Sequence, residues 1–146
     1  MTVQEKKKNQ RSSSRRHTPG VYVLRNMRTG VCYVEIGDQE KMKKNKNKRG
    51  MKSESLSTTG SVNDLESWER NEVLTRMFIE GFDRVRGWKY NSKGPLSMGK
   101  KHSARDDIME KFDLCRRCGR DGHFASRCFA RSPASWCRGV VVVEDF

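Results

Sequence analysis

The sequence predicts an α+β protein in three parts: a basic N-terminal arm, a small domain with a β-hairpin and a helix, and a cysteine-rich C-terminal segment. Three observations support this division. Two short runs rich in Val, Tyr, Leu and Ile flank a Thr-Gly link, a helix-like segment follows, and three of the five cysteines lie within residues 115–128. Only 34% of the residues are hydrophobic and another 34% are charged, so much of the chain is too polar to bury a core.

The charge balance narrows the choice of partner. The chain carries 31 Lys and Arg residues against 18 Asp and Glu, a formal net charge of +13. A surplus of this size favours a polyanionic partner, nucleic acid first and an anionic membrane surface second. No apolar run approaches the roughly 18 residues of a membrane span, and the N-terminus lacks the apolar core of a signal peptide. We therefore expect an intracellular protein, nuclear or cytoplasmic, whose partner is not a membrane.

The N-terminal part of the chain combines a polar arm with a hairpin. Residues 1–18 are basic and Ser-rich without apolar periodicity, and we expect them to be disordered. Residues 21–25 and 31–36, joined across Thr29-Gly30, have the composition and spacing of a β-hairpin. Strand alternation places three side chains on one face of the second strand: Cys32, Val34 and Ile36.

The hairpin opens a region of residues 19–90 that contains a basic low-complexity insert at 38–60. The run 41–52 holds seven basic residues and no acid, and a Ser/Thr/Gly-rich stretch follows it. Neither segment has the apolar periodicity of a helix or a strand. We expect the insert to lack regular structure.

A helix is predicted after the insert. Asn63 is a candidate N-cap, Glu66 three residues later completes a capping box, and Gly81 provides a stop. On a helical wheel three apolar residues fall on one stripe, which we expect to be buried: Leu65, Trp68 and Ile79. Glu72 lies among them, which is an unusual place for an acid.

The rest of the chain is predicted to surround the cysteine motif with a linker, a short helix and a tail. Residues 91–114 begin with Gly, Pro and Ser and continue into a short helix that starts at Ser103. Residues 129–146 form the tail. In this tail we interpret Trp136 and Cys137 as packing residues, with a second stacking platform and an alternative metal ligand as the other interpretations.

The cysteine motif has the spacing of a metal site. Its four candidate ligands are separated as C-x2-C-x4-H-x4-C: Cys115, Cys118, His123 and Cys128. Three thiolates and an imidazole complete a tetrahedral zinc site and leave no position for a catalytic water, so we expect one structural Zn²⁺. In a reducing compartment, cysteines at such short spacing are metal ligands rather than a disulfide framework. Gly119 and Gly122 allow tight turns in a loop too short for a core.

These residues resemble the CCHC zinc knuckle of retroviral nucleocapsid and related cellular proteins, whose pattern is C-x2-C-G-x-x-G-H-x4-C. Every fixed position of that pattern is present in residues 115–128. The resemblance implies contact with single-stranded RNA or DNA, whose bases stack on aromatic or guanidinium planes and whose phosphates meet basic side chains. Phe124 occupies the family's apolar platform position, and Arg116 stands where many members have an aromatic residue. Three further arginines are candidates for phosphate contacts: Arg117, Arg120 and Arg127.

The hairpin carries a second resemblance. Gly20-Val21-Tyr22 followed by Tyr33-Val34-Glu35 resembles the signature of the GIY-YIG nuclease family, and the segment around Val85-Arg86-Gly87 resembles a later part of such domains. This family cleaves DNA with the help of a divalent metal. By position, the resemblance implies three catalytic residues that would act with Mg²⁺ or Mn²⁺: Tyr22, Tyr33 and Glu72.

Two positions depart from the nuclease family. Glu35 replaces the glycine of its second motif, and Lys43 falls near its catalytic arginine, whose bidentate phosphate contact a lysine cannot make. We therefore expect a nucleic-acid-binding protein whose zinc knuckle contacts single-stranded RNA or DNA and whose basic segments add phosphate affinity. The first alternative is a GIY-YIG type endonuclease that holds its substrate with the knuckle. The second is a knuckle that binds protein.

Overall fold

The computed structural model describes residues 19–58 and 62–140, which form an α+β fold as predicted. The predicted arm at 1–18 lies outside the described residues. The strands and helices of the described part are, in chain order, β1 (Gly20–Asn26), β2 (Cys32–Gly37), α1 (Gln39–Arg49), β3 (Met51–Thr58), α2 (Val62–Glu80), β4 (Val85–Arg86) and α3 (Met98–Phe112). Short 3-10 turns form at Phe82–Arg84, Ala125–Arg127 and Ser135–Cys137.

The described strands form one sheet in the order β3-β1-β2-β4. β1 pairs antiparallel with both β2 and β3, and β4 adds a short parallel pairing to β2. The predicted hairpin is confirmed, with Val23 opposite Val34 and Tyr22 opposite Glu35. Because side chains alternate along a strand, these two pairs lie on opposite faces of the sheet.

Helices α1 and α2 cover opposite faces of this sheet. The face under α2 belongs to the main core and contains alternate residues of the first two strands: Val21, Val23, Cys32 and Val34. The face under α1 forms a second, smaller cluster: Tyr22, Leu24, Tyr33, Met42 and Met51. Ile36 packs against the main core that also contains Cys32 and Val34, so the prediction that these three side chains share one face of β2 is confirmed.

The expectation that residues 38–60 lack regular structure is wrong for the described residues of that range, because residues 39–49 form α1 and residues 51–58 form β3. The Asp38 side chain caps α1 by accepting a hydrogen bond from the Lys41 N–H at 2.7 Å, and Gly50 ends the helix with a φ of 62°. Met42 anchors α1 on the sheet, while β3 is held by its pairing with β1. Tertiary contacts and caps thus stabilise segments whose own composition is polar.

The boundaries of α2 differ slightly from the prediction, and its buried face differs more. The helix begins at Val62, so Asn63 lies in its first turn and is not the N-cap, whereas the predicted end before Gly81 is confirmed. Leu65 is buried as predicted, but Trp68 is 45% exposed and Ile79 is 74% exposed, so the predicted buried stripe is wrong at these two positions. Among residues 64–80 of this helix, the buried side chains are those of Leu65, Val73, Leu74 and Met77. Val73, Leu74 and Met77 lie on one face of the helix, and this face packs into the main core in place of the predicted one.

Helix α3 also starts earlier than predicted. It begins at Met98, because Ser97 serves as N-cap and its side chain accepts a hydrogen bond from the Lys100 N–H. The predicted start at Ser103 is therefore wrong and lies inside the helix. Asp113 ends the helix in a left-handed conformation. No helix within residues 19–58 and 62–140 is long and apolar enough to cross a membrane.

A buried guanidinium organises the loop between β4 and α3. Arg86 donates hydrogen bonds to four main-chain carbonyls: Phe82, Val85, Ser92 and Gly94. Asp83 accepts hydrogen bonds from Arg86 at 3.3 Å and from the Leu96 N–H at 2.8 Å, and forms an ion pair with Lys101 at 3.0 Å. A buried charge is costly without partners, so this network fixes the loop that leads into α3.

Candidate metal centre

Helix α3 leads directly into a cluster of three cysteines and one histidine. The candidate ligand atoms of the four residues all lie within 4.8 Å of one another: Cys115, Cys118, His123 and Cys128. The first two side chains are fully buried, and the other two are half-buried. These four residues come together, and the cluster could hold one metal ion.

Glycines shape the loop that carries the cluster. Gly119 has a φ of 79° and Gly122 a φ of 88°, a conformation that side-chain-bearing residues rarely adopt. A Cβ added at Gly119 would lie 2.7 Å from the Sγ of Cys137 and 3.0 Å from the Nε1 of Trp136. Gly119 is therefore required both by its backbone conformation and by the close approach of the following segment.

Hydrogen-bond donors point at the three cysteine sulphurs. The N–H groups of Arg117 and Cys118 donate to the Sγ of Cys115 at 3.4 and 3.5 Å. The N–H of Arg120 faces the Sγ of Cys118. The guanidinium of Arg117 donates to the Sγ of Cys128 at 3.3 Å. Because N–H donors stabilise the anionic form of an acceptor, this arrangement suits thiolates, which are the form that binds metal.

The environments of two cysteines shift their acidity in opposite directions. Burial raises the pKa of Cys118, and the neighbouring cysteines Cys128 and Cys115 raise it further. Desolvation also tends to raise the pKa of Cys128, but the N–H of Ala130 and the guanidinium of Arg117 lower it to about 6. Near neutral pH the protein therefore favours a thiolate at Cys128.

The segment after the cluster packs it onto the rest of the fold. The N–H of Ala134 donates to the carbonyl of Cys118 at 2.7 Å, and the Nε1 of Trp136 donates to the carbonyl of Gly119 at 2.8 Å. Trp136 packs against the main core, and Cys137 is fully buried within it. Their interpretation as packing residues fits this placement, and Cys137 is not part of the metal-compatible cluster found among the described residues.

Phe124 lies on the exposed side of the cluster. Its ring is 67% exposed and lines a cavity of about 440 Å³ together with His123, Arg127 and Asp113. Arg127 is exposed as well. An aromatic ring and a guanidinium thus share an open surface next to a candidate metal ligand.

The other three arginines predicted to contact nucleic acid have main-chain partners. Arg116 is exposed and donates to the carbonyl of Asp106 at 3.1 Å. Arg117 is half-buried and also donates to the carbonyl of Ala130 at 2.7 Å. Arg120 is exposed and donates to the carbonyl of Ser132 at 2.9 Å. The structure therefore places Arg117 inside the metal centre, and Arg116 and Arg120 on its surface.

The three residues of the nuclease resemblance do not come together. Tyr22 and Tyr33 lie on the sheet face under α1, and the Tyr22 hydroxyl donates to Glu35 at 2.7 Å. Glu72 belongs to α2, which covers the opposite face, and accepts a hydrogen bond from Arg76 at 3.0 Å. The sheet thus separates Glu72 from the two tyrosines.

A polar cavity beside β2 was not predicted from the sequence. It measures about 480 Å³, and the residues that line it include Glu35, Asn45, Glu69, Trp88 and Asn91. Burial raises the pKa of Glu69, although the N–H of Trp88 lowers it in part. The one sequence signal for this cavity is Glu35, which stands where the second nuclease motif has a glycine.

No protein-family model, curated protein or solved structure matches this chain.

Proposed function

We propose that this protein binds single-stranded nucleic acid through a zinc knuckle formed by residues 115–128. The observation that carries the proposal is the exposed Phe124 ring beside a Cys3His cluster that could hold a metal ion. Base stacking on aromatic side chains is the commonest way in which proteins hold unpaired nucleotides.

Zinc is the metal that the donor set fits best. Three sulphurs and one imidazole nitrogen are soft and borderline ligands in a number that fills a tetrahedron. With metal–sulphur and metal–nitrogen bonds of about 2.3 and 2.0 Å, a tetrahedral sulphur–nitrogen edge is about 3.5 Å long. The distance of 3.3 Å between the Sγ of Cys118 and the Nε2 of His123 is close to this value. A bound zinc ion would supply structural cross-linking of the loop, since the protein provides all four ligands.

The charge around the cluster supports a nucleic-acid partner. Between Leu114 and Val140 the chain carries six arginines against one aspartate, Asp121. Exposed guanidinium groups at Arg116, Arg120 and Arg127 are available to phosphates, and those of Arg116 and Arg120 carry more donors than their main-chain contacts use. Affinity gained in this way should fall steeply as salt is added.

The endonuclease alternative receives no comparable support. It requires Tyr22, Tyr33 and Glu72 in one site, and Glu72 is instead paired with Arg76 on the other side of the sheet. The protein-binding alternative uses the same exposed surface around Phe124 and is separated from our proposal by experiment.

Filter binding with labelled single-stranded RNA, single-stranded DNA and duplex DNA tests the proposal. The zinc-loaded protein should prefer the single strands, and Phe124→Ala should weaken binding by about 1 to 3 kcal/mol. Phe129→Ala is the matched control, because Phe129 is 93% exposed and does not line the Phe124 cavity. Zinc-loaded protein that binds none of these strands would contradict the proposal and favour a protein partner.

A further inference from the structure

A third cavity lies between the candidate metal centre and the two helices α2 and α3. It measures about 490 Å³, which is within the range of small-molecule sites. Its walls include three aromatic rings, those of Phe78 on α2, Phe112 at the end of α3 and Trp136 behind the cysteine cluster. We call it the junction cavity.

The aromatic rings of the junction cavity form one connected set. The ring centroids of Phe78 and Phe112 lie 5.1 Å apart, and those of Phe78 and Trp136 lie 5.4 Å apart. All three side chains are only half-buried, so part of their surface remains open to the cavity. The hydrogen bond from Trp136 to the Gly119 carbonyl holds the indole in place. A planar aromatic ligand would meet an ordered surface at little entropic cost.

Polar groups stand beside these rings. Arg120 and Asp121 line the same cavity, and both are exposed. The contact between Arg120 and the Ser132 carbonyl restrains its guanidinium, which keeps donors that this bond does not use. A guanidinium and a carboxylate can together read the donors and acceptors on a base edge.

The junction cavity and the Phe124 cavity are adjacent along the chain. Gly119, Arg120 and Asp121 line the first, and Gly122, His123 and Phe124 line the second. Asp113 lines the Phe124 cavity and Leu114 lines the junction cavity, so at two places consecutive residues belong to the two cavities, and a single strand that followed the loop would meet both. The local excess of arginine favours a polyanionic strand over a neutral apolar peptide as the occupant.

We infer that the junction cavity binds a second unpaired base of the strand whose first base stacks on Phe124. This inference rests on the proposed function and extends it, because it names a binding site outside the cysteine motif. The rings of Phe78 and Phe112 belong to α2 and α3, which would make these two helices part of the nucleic-acid interface.

Phe112→Leu tests the inference, since it removes a ring while keeping an apolar side chain. Affinity of the zinc-loaded full chain is measured for a mixed-sequence single strand of about ten nucleotides and for an abasic strand of the same length. The variant should bind the base-containing strand at least about 5-fold more weakly than the unaltered protein does. Its affinity for the abasic strand should be unchanged, whereas a loss of folded protein would weaken both. Phe129→Leu is the control variant and should change neither affinity.

The indole N–H resonance of Trp136, assigned with Trp136→Phe, provides a readout in the unaltered protein. It should shift when the base-containing strand is added and not when the abasic strand is added.

Three outcomes would contradict the inference. If the strand binds while the Trp136 resonance does not shift and Phe112→Leu has no effect, the inference is wrong and the proposed function stands. A tryptophan-containing peptide is added in a parallel titration. If the Trp136 resonance shifts with this peptide and not with the strand, the cavity binds a protein partner and the inference is wrong. If no strand binds, both proposals fail.

Discussion

The indole ring of Trp136 packs against the ring of Phe78, with centroids 5.4 Å apart and an edge-to-face tilt of 64°. Phe78 belongs to α2, whereas Trp136 follows the cysteine cluster and donates its N–H to Gly119 within it. The contact joins the candidate metal centre to the core beneath the sheet. Val34 of the sheet and Cys137 of the segment that follows the cysteine cluster belong to the same hydrophobic cluster.

This shared core predicts that metal removal destabilises the sheet and its helices as well as the cysteine loop. A metal ion whose free concentration is 100 times its dissociation constant adds about 2.7 kcal/mol to the free energy of unfolding. Each kcal/mol shifts the melting temperature by roughly 4 °C in a chain of this size. A chelator should therefore lower the melting temperature of the whole protein by about 10 °C, as measured by calorimetry. Cys118→Ser is the control, because its melting should no longer respond to the chelator. An unchanged transition in the unaltered protein would contradict the shared core.

Arg117 should raise the metal affinity of the cluster by stabilising the thiolate of Cys128. Its guanidinium helps to lower the pKa of Cys128 to about 6, so Arg117→Met should raise that pKa and leave less thiolate at neutral pH. Loss of such a supporting contact typically costs about 10- to 100-fold in metal affinity. Competition with a chromophoric chelator measures this loss, which should grow as the pH is lowered. Arg116→Met is the matched control, because Arg116 bonds to Asp106 instead of a sulphur; equal losses in the two variants would refute the role.

Ionisation of Asp83 should make the free energy of unfolding depend on pH. Burial opposes its ionisation, but the Leu96 N–H, Lys101 and Arg86 outweigh burial and lower the pKa of Asp83 below its usual value. A depressed pKa in the folded state adds stability above the unfolded pKa of about 4, and this stability is lost as the pH falls through the folded value. Asp83→Asn should be less stable at pH 7 and should lose less on acidification. Urea denaturation at several pH values measures both; parallel pH curves for the two proteins would contradict this assignment.

The parts of the fold that the sequence predicted well have strong local signals. The hairpin was found within about one residue at each end, because β-branched runs on both sides of Thr29-Gly30 define it. The four candidate ligands were found because the spacing of residues 115–128 leaves little freedom in where their atoms lie. Gly81 was found as the end of α2 because a φ of 114° is costly for other residues.

The parts that were missed depend on contacts distant in sequence. α1 is a polar helix that owes its place to Met42 against the sheet, and β3 is held by pairing with β1. Trp68 and Ile79 belong to the predicted stripe of α2 by their helical-wheel positions, but the face of α2 that packs into the core carries Val73, Leu74 and Met77. The junction cavity is invisible in sequence, because Phe78 and Trp136 meet only once the chain has folded.

The measurement that tests the central claim most directly is the affinity for a labelled single strand, followed by fluorescence anisotropy before and after metal removal. The zinc-loaded protein should bind the strand, a chelator should weaken binding by about tenfold or more, and one equivalent of zinc should restore it. Reloading with magnesium is the control and should restore nothing, because sulphur ligands do not select that ion. Equal affinity with and without zinc, or no affinity at full zinc occupancy, would contradict the account.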